Sequence, residues 1–186
     1  SHDLRNPLNV AQGSVNMARK DTDNEHLESA NKVLQRMESM IGDVLAMARQ
    51  SPDIEDEDRR QVRLSKIVGE CWESVATADA TLEIADDILF YADPDRCQLL
   101  FENLFRNGIE HGGSDVTIKV GSLADTPGFY VEDDGPGISE SKQEEIFETG
   151  YSTGGEGIGL GLTIVKGIVS AHHWTIRVTN SEAGGA

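Results

Sequence analysis

Through residues 1–50, apolar side chains recur at alternating steps of four and three. Leu4, Leu8, Ala11, Val15 and Ala18 form one series, and Leu27, Ala30, Leu34, Met37, Ile41, Val44 and Ala48 form another. Each is the seam of a heptad, which predicts a helix packed along one stripe against a neighbour. Between them Asp21-Thr22-Asp23-Asn24 offers turn and N-cap chemistry, so the two helices are expected to fold back as an antiparallel hairpin. Val33, Met40 and Met47 add a second apolar row on the later helix. A hairpin has no face of its own to cover that row, whereas a second copy would, giving a dimeric four-helix bundle.

Residues 51–61, SPDIEDEDRRQ, combine a proline with dense charge and no period, and read as a linker. The pattern then becomes mixed. A helix is expected over Leu64 to Ala76, followed by short apolar strands at Leu82-Glu83-Ile84 and Ile88-Leu89-Phe90-Tyr91. Asp93 as N-cap with Pro94 in the first helical position starts a long helix, which Gly112-Gly113 ends. Val116, Ile118 and Val120 alternate with polar residues, as do Phe129 and Val131, then Trp174, Ile176 and Val178; these predict half-buried strands. The expected class is α+β: a helical hairpin over 1–50, a linker over 51–61, and a two-layer α/β sandwich over 62–186.

Charge narrows the partners. The chain has 186 residues and a net charge of −17, which disfavours any role built on gripping nucleic-acid phosphates. Lysine is scarce and the acidic surface resembles those of salt-loving organisms, archaeal ones among them. High salt would screen the self-repulsion, since the Debye length falls to about 3 Å at 1 M. The sequence starts at Ser1 without Met and stops just after a strand-like segment, and reads as a piece of a longer protein. No apolar run is long enough to cross a bilayer, and no basic-then-apolar leader is present, so a cytoplasmic place without direct membrane contact is expected for this piece, the upstream part being free to carry an anchor. Cys71 and Cys97 lack metal-ligand spacing and read as small buried hydrophobes, with no disulfide.

The candidate chemistry follows one order along the chain. On the helix from Pro94, Asn103, Asn107 and His111 stand four apart and drift only about 80° around the axis, forming one polar stripe, with Phe101, Phe105 and Ile109 opposite. The amide oxygen of Asn107 is a hard, neutral ligand suited to Mg²⁺ beside nucleotide phosphates. His111 is placed to reach a phosphate. In VEDDGPG, Asp133 ends an apolar strand, and Gly135 and Gly137 permit close backbone approach. A carboxylate there can accept from the exocyclic amine of adenine, where guanine carries a carbonyl. Gly157, Gly159, Leu160, Gly161 and Leu162 run into a further helix, whose N-terminal amides and dipole favour phosphate. A Rossmann loop would need a strand directly before these glycines, and Gly150 to Glu156 is polar. Ser139 to Gly155 reads as a lid over the nucleotide, ordered by Phe147. Together these describe a site for ATP and Mg²⁺.

The whole constellation resembles the catalytic core of the sensor histidine kinases. Ser1-His2-Asp3-Leu4-Arg5-Asn6-Pro7-Leu8 is similar to the phospho-acceptor box, Asn103 to His111 to the N box, Asp133 to Gly137 and Gly157 to Leu162 to the two glycine boxes, and Ile146-Phe147 to the F box. The resemblance implies a homodimer that phosphorylates His2 from ATP and passes the phosphoryl group to an aspartate in the receiver domain of a response regulator. It implies that Asp3 orients the His2 imidazole and takes its proton, and that Asn6, four residues on, orients water for a regulator phosphatase activity. If the helix continues through Pro7, the lost bond to the Asp3 carbonyl bends it beside His2. The chain departs from the family pattern at Gly108, where alanine is usual, at Asp134, where asparagine is commonest, at Thr149-Gly150, and at His173, where glycine is usual. Asp134 is expected to add negative charge beside the nucleotide. Two other classes remain: a scaffold that binds nucleotide without transferring it, and a gyrase- or chaperone-type ATPase, which would need a glutamate base near the N box, where Glu102, one residue from Asn103, falls on the wrong face.

Overall fold

The computed structural model describes residues 11, 15, 34, 37, 54–77, 79–113, 115–143, 145–148, 160–180 and 185–186. The chain divides into two compact units, one of residues 1–50 with 156–158 and one of residues 51–155 with 159–186. In the first, Ala11, Val15, Leu34 and Met37 are helical, as the heptad seams predict. Ala11, Val15 and Leu34 are half-buried, while Met37, although on the seam, is exposed in the single chain.

The second unit begins within the expected linker. Ile54 is buried, Asp56–Asp58 form a 3₁₀ turn, and Arg60–Arg63 form β1, so Arg60 and Gln61 belong to a strand rather than to a connector. Only Val62 of β1 is buried, which is why so charged a segment carries no strand pattern. Helix α1 (Leu64–Val75) buries Leu64, Ile67, Val68 and Cys71. Its N-cap position, Arg63, makes no side-chain cap. Asp87 supplies one from elsewhere in the chain: Oδ1 accepts from the Ser65 amide at 3.0 Å and Oδ2 from the Arg63 guanidinium at 2.8 Å.

Strands β2 (Thr81–Ile84) and β3 (Leu89–Ala92) belong to different sheets. β3 pairs antiparallel with β1, Val62 facing Phe90, while β2 lies parallel to β4 (Thr117–Ser122), which pairs antiparallel with β5 (Phe129–Asp133). Between β3 and β4 runs α2 (Pro94–Gly112). The Asp93 carboxylate accepts from the amides of Asp95 and Arg96, Pro94 occupies the first turn, and Gly113 follows at φ 112°, a left-handed value that glycine adopts without cost. α2 lies between α1 and α3 (Gly161–Ala171). Its Cys97, Leu100, Phe101 and Phe105 are buried in the core of this unit with Ile118, Val120, Ile164 and Val165. Rings bridge the two sheets: Phe90 of β3 lies 5.5 Å from Phe129 of β5, and both approach Trp174 within 5.9 Å.

Helix α3 ends in a Schellman arrangement, with the Trp174 amide bonded to the Val169 carbonyl and the His173 amide to the Ser170 carbonyl. His173 takes the left-handed position at φ 59°, which accounts for the glycine usual there in the family. The strand expected at Trp174, Ile176 and Val178 is not formed. The segment keeps a strand's burial rhythm, these three half-buried and Thr175, Arg177 and Thr179 exposed, yet it makes no ladder. On the edge of β5 away from β4, the Asp133 amide donates instead to the carbonyl of Ala186 at 2.9 Å. Cys71 and Cys97 are buried and unbridged, and burial pushes both thiols up to about 12, where they are inert.

Candidate nucleotide site

The stripe on α2 runs from core to surface. Asn103 is 3% exposed, Asn107 half-buried and His111 exposed in the last turn. The stripe is therefore no solvated face at its inner end. Burying a carboxamide demands hydrogen bonds, and Asn103 turns its Nδ2 back to the Leu99 carbonyl at 2.7 Å. Asn107 has no such partner: its Nδ2 is buried and unsatisfied. Gly161, the first residue of α3, sits against both amides. A Cβ there would lie 3.1 Å from Asn103 Oδ1 and 3.4 Å from Asn107 Oδ1. The glycine thus lets the N-terminus of α3, with its unpaired amides, meet the asparagine stripe.

The other half of the site meets α2 one turn later. Asp133 ends β5, and its Oδ1 accepts from the Gly135 amide at 2.9 Å. Gly135 rests on Gly112: a Cβ on it would stand 2.6 Å from the Gly112 Cα. Gly137 has φ 70°, a value that requires glycine or strain. Phe147 is half-buried in the 3₁₀ turn Glu145–Phe147, which packs beside α3. Leu160 and Leu162 flank Gly161 and are half-buried. Asn103, Asn107 and Gly161 thus meet on one side of α2, while Asp133 and Gly135 pack against the same helix further along and round its axis, at Gly108 and Gly112. Gly157 and Gly159 lie outside the described residues, as do His2, Asp3 and Asn6 and most of the expected lid.

Asp134 plays another part than the sequence suggested, whereas Glu102 lies off the asparagine face as expected. Asp134 extends the ladder, its Oδ1 accepting from the Thr117 amide at 2.8 Å, and that bond holds its carboxyl below the usual range. Its charge is directed to β4. Glu102 faces α1, accepting from Gln98 Nε2 at 2.9 Å and Ser74 Oγ at 3.5 Å, away from the asparagine stripe where a hydrolytic base would stand. His172 was not foreseen. It is 2% exposed, donates from Nδ1 to the Ile168 carbonyl at 2.8 Å, accepts at Nε2 from the Asp93 amide at 3.1 Å, and stacks on Trp174 at 4.2 Å. It joins the end of α3 to the start of α2, and nothing in its sequence neighbourhood marks it apart from His173. Among the described residues no cluster of three or more His, Cys, Asp or Glu is arranged to hold a metal. Asn107 Oδ1 is the atom whose chemistry suits a cation beside phosphate, while the unsatisfied Asn107 Nδ2, which can only donate, calls for an acceptor such as a phosphate oxygen.

Comparison with known proteins decides the family. Residues 92–186 match the histidine kinase-, DNA gyrase B- and HSP90-like ATPase family, and residues 1–52 match the His Kinase A phospho-acceptor domain. The chain belongs to the histidine kinases. Sensor histidine kinase CpxA of Escherichia coli strain K12 is 30% identical over 203 aligned residues, covering all of this chain and 43% of CpxA. The chain therefore spans less than half the length of that histidine kinase. Two solved structures share the fold. ShkA in complex with AMPPNP has a TM-score of 0.66 at 21% identity, over 91% of this chain and 39% of that one. ThkA in complex with the response regulator TrrA has a TM-score of 0.62 at 24% identity, over 98% of this chain and 56% of that one. E. coli is neither archaeal nor halophilic, so CpxA lends no support to the salt-loving source expected from the charge.

Proposed function

We propose that this histidine kinase core binds Mg-ATP along α2 and transfers the γ-phosphoryl group to His2, from which it passes to an aspartate of a response-regulator receiver domain. The observation that carries the reading is that one helix, α2, brings the Asn103 and Asn107 amides to the start of α3 at Gly161 and also packs, through Gly108 and Gly112, against Asp133 and Gly135. Asp133 selects adenine by accepting from its exocyclic amine, a hydrogen bond to a charged group worth about 1.5 to 3 kcal/mol. The N-terminal amides of α3, with His111 at the end of α2, hold the phosphates. Asn107 would hold Mg²⁺ through its amide oxygen, and the ion when bound neutralises phosphate charge. Gly157 and Gly159, as parts of the second glycine box, and Phe147, of the F box, contribute to ATP binding.

Transfer requires a neutral imidazole, which an ordinary histidine pKa near 6.5 provides at neutral pH. One ring nitrogen of His2 bonds to the γ-phosphorus as the bond to the β–γ bridging oxygen breaks and ADP leaves. Asp3 takes the ring proton. Asn6 orients the water that later dephosphorylates the regulator. We place the domain boundary between residues 50 and 51, the hairpin over 1–50 as the dimer interface, and the reaction in the cytoplasm. The complexes of ShkA with AMPPNP and of ThkA with TrrA support this choice of nucleotide and partner. The test is incubation with γ-labelled Mg-ATP. We expect an acid-labile, base-stable label that is absent from His2→Gln, and slower dephosphorylation of the regulator by Asn6→Ala. Label retained in His2→Gln refutes the acceptor, and ATP binding without any label refutes the transfer.

A further inference from the structure

Gly108 stands in the middle of α2, where glycine is less favourable than alanine. It is not among the glycines with positive φ, so backbone conformation does not call for it. Packing does. A Cβ on Gly108 would lie 2.8 Å from Ile118 Cδ1, 3.3 Å from Ile118 Cγ1 and 3.9 Å from Asp133 Cβ. Carbon atoms at rest stand roughly 3.5 to 4.0 Å apart, so an alanine methyl would overlap the isoleucine. Ile118 is fully packed, 1% exposed, and is the register partner of Asp133 across β4 and β5. One position on α2 therefore touches both the carboxylate residue and the side chain directly opposite it in the sheet.

We propose that Gly108 is a positioning residue for nucleotide: its missing side chain lets Ile118 seat against α2, and this seating fixes the height at which Asp133 presents its carboxylate to adenine. Gly108 and Ile118 act as a matched pair, the isoleucine δ-carbon filling the space where an alanine methyl would sit. The inference rests on the adenine-binding role of Asp133 set out above. An added methyl forces the Ile118 δ-carbon to move, and because Ile118 is packed to 1% exposure the shift passes on to the β4–β5 pair, so that the purine amine meets a displaced acceptor while the phosphate end at Gly161 is untouched. The loss falls on ATP more than on GTP, which has no amine at that position to offer.

The whole chain is titrated with Mg-ATP and Mg-GTP by displacement of a fluorescent ATP analogue, for wild type, Gly108→Ala, the volume-conserving pair Gly108→Ala with Ile118→Val, and Asp133→Asn. We expect Gly108→Ala to bind ATP about tenfold more weakly, with a reduced ATP-to-GTP ratio, and the double variant to recover to within about twofold because valine lacks the clashing δ-carbon. If Gly108→Ala shows no cooperative unfolding transition, the double variant decides alone: wild-type ATP affinity and selectivity support the pair, and a folded double variant that stays weak overturns it. Gly108→Ala binding ATP like wild type while Asp133→Asn is impaired overturns the positioning role. A parallel loss of ATP and GTP assigns Gly108 to general packing and also overturns it. Unchanged affinity in Asp133→Asn removes the underlying adenine reading instead.

Discussion

Acidifying the solvent by two pH units should destabilise this domain through a single imidazole. His172 is neutral by construction: Nδ1–H donates to the Ile168 carbonyl, so Nε2 must be the acceptor for the Asp93 amide. Protonation would point a second N–H at that amide, exchanging a hydrogen bond for a repulsion. Burial is the largest cause holding its pKa below the ordinary value, Arg59 and Arg96 add to the effect, and the Ile168 carbonyl and Asp93 carboxylate oppose it. The unfolded chain takes up this proton near pH 6.5 while the fold does not, so stability is complete above about 6.5 and is lost as pH falls below it. Each pH unit over which the folded ring stays neutral costs about 1.4 kcal/mol, or a few degrees in the melting midpoint for a domain of this size. Asp87 and Asp134, whose carboxyls hydrogen bonds hold below the usual range, lose their contributions only at lower pH still. Urea unfolding followed by tryptophan fluorescence at about pH 7.5, 6.5 and 5.5 reads the slope. His172→Gln, which keeps an acceptor but cannot titrate, should be less stable at neutral pH and flatter with pH. Equal slopes for variant and wild type would refute the reasoning.

Three further outcomes follow from the same structure. His173→Gly should raise stability by roughly 0.5 to 1 kcal/mol, since the left-handed position costs a side-chain residue about 1 to 2 kcal/mol and glycine's added unfolded-state entropy returns part of it; a lower melting midpoint would show that other contacts of the ring outweigh the backbone. Asp133→Asn should weaken ATP about ten- to hundredfold by the same displacement assay. With a net charge of −17, the melting midpoint should rise with KCl toward 1 M, where screening acts within about 3 Å; a flat response would remove self-repulsion as a factor.

What the sequence made legible was local. Asp93-Pro94 and Gly112-Gly113 bound α2 at the expected residues because caps are written in neighbouring positions, and the alternation at Ile118 and Val120 located β4. Its misses were long-range. β1 is one buried valine in a charged segment and exists because β3 pairs with it. The cap of α1 comes from Asp87, across a gap no local rule scans. The alternation from Trp174 to Val178 was read correctly as burial but not as pairing, since a ladder needs a partner edge and periodicity reports only faces. In the site, residue types and order announced Asn107 and Asp133, whereas the second use of Asp134 depended on register and the role of His172 on the meeting of two helix ends.

The two sheets of the nucleotide-binding unit share rings rather than a ladder. A backbone ladder is in register or broken, but faces and edges of phenylalanine and tryptophan keep most of their attraction when they slide by a fraction of an ångström. Among the described residues no ladder joins the β1–β3 ribbon to the strand that carries Asp133, so a push on one sheet reaches the other through ring contacts, softened, as through a bearing.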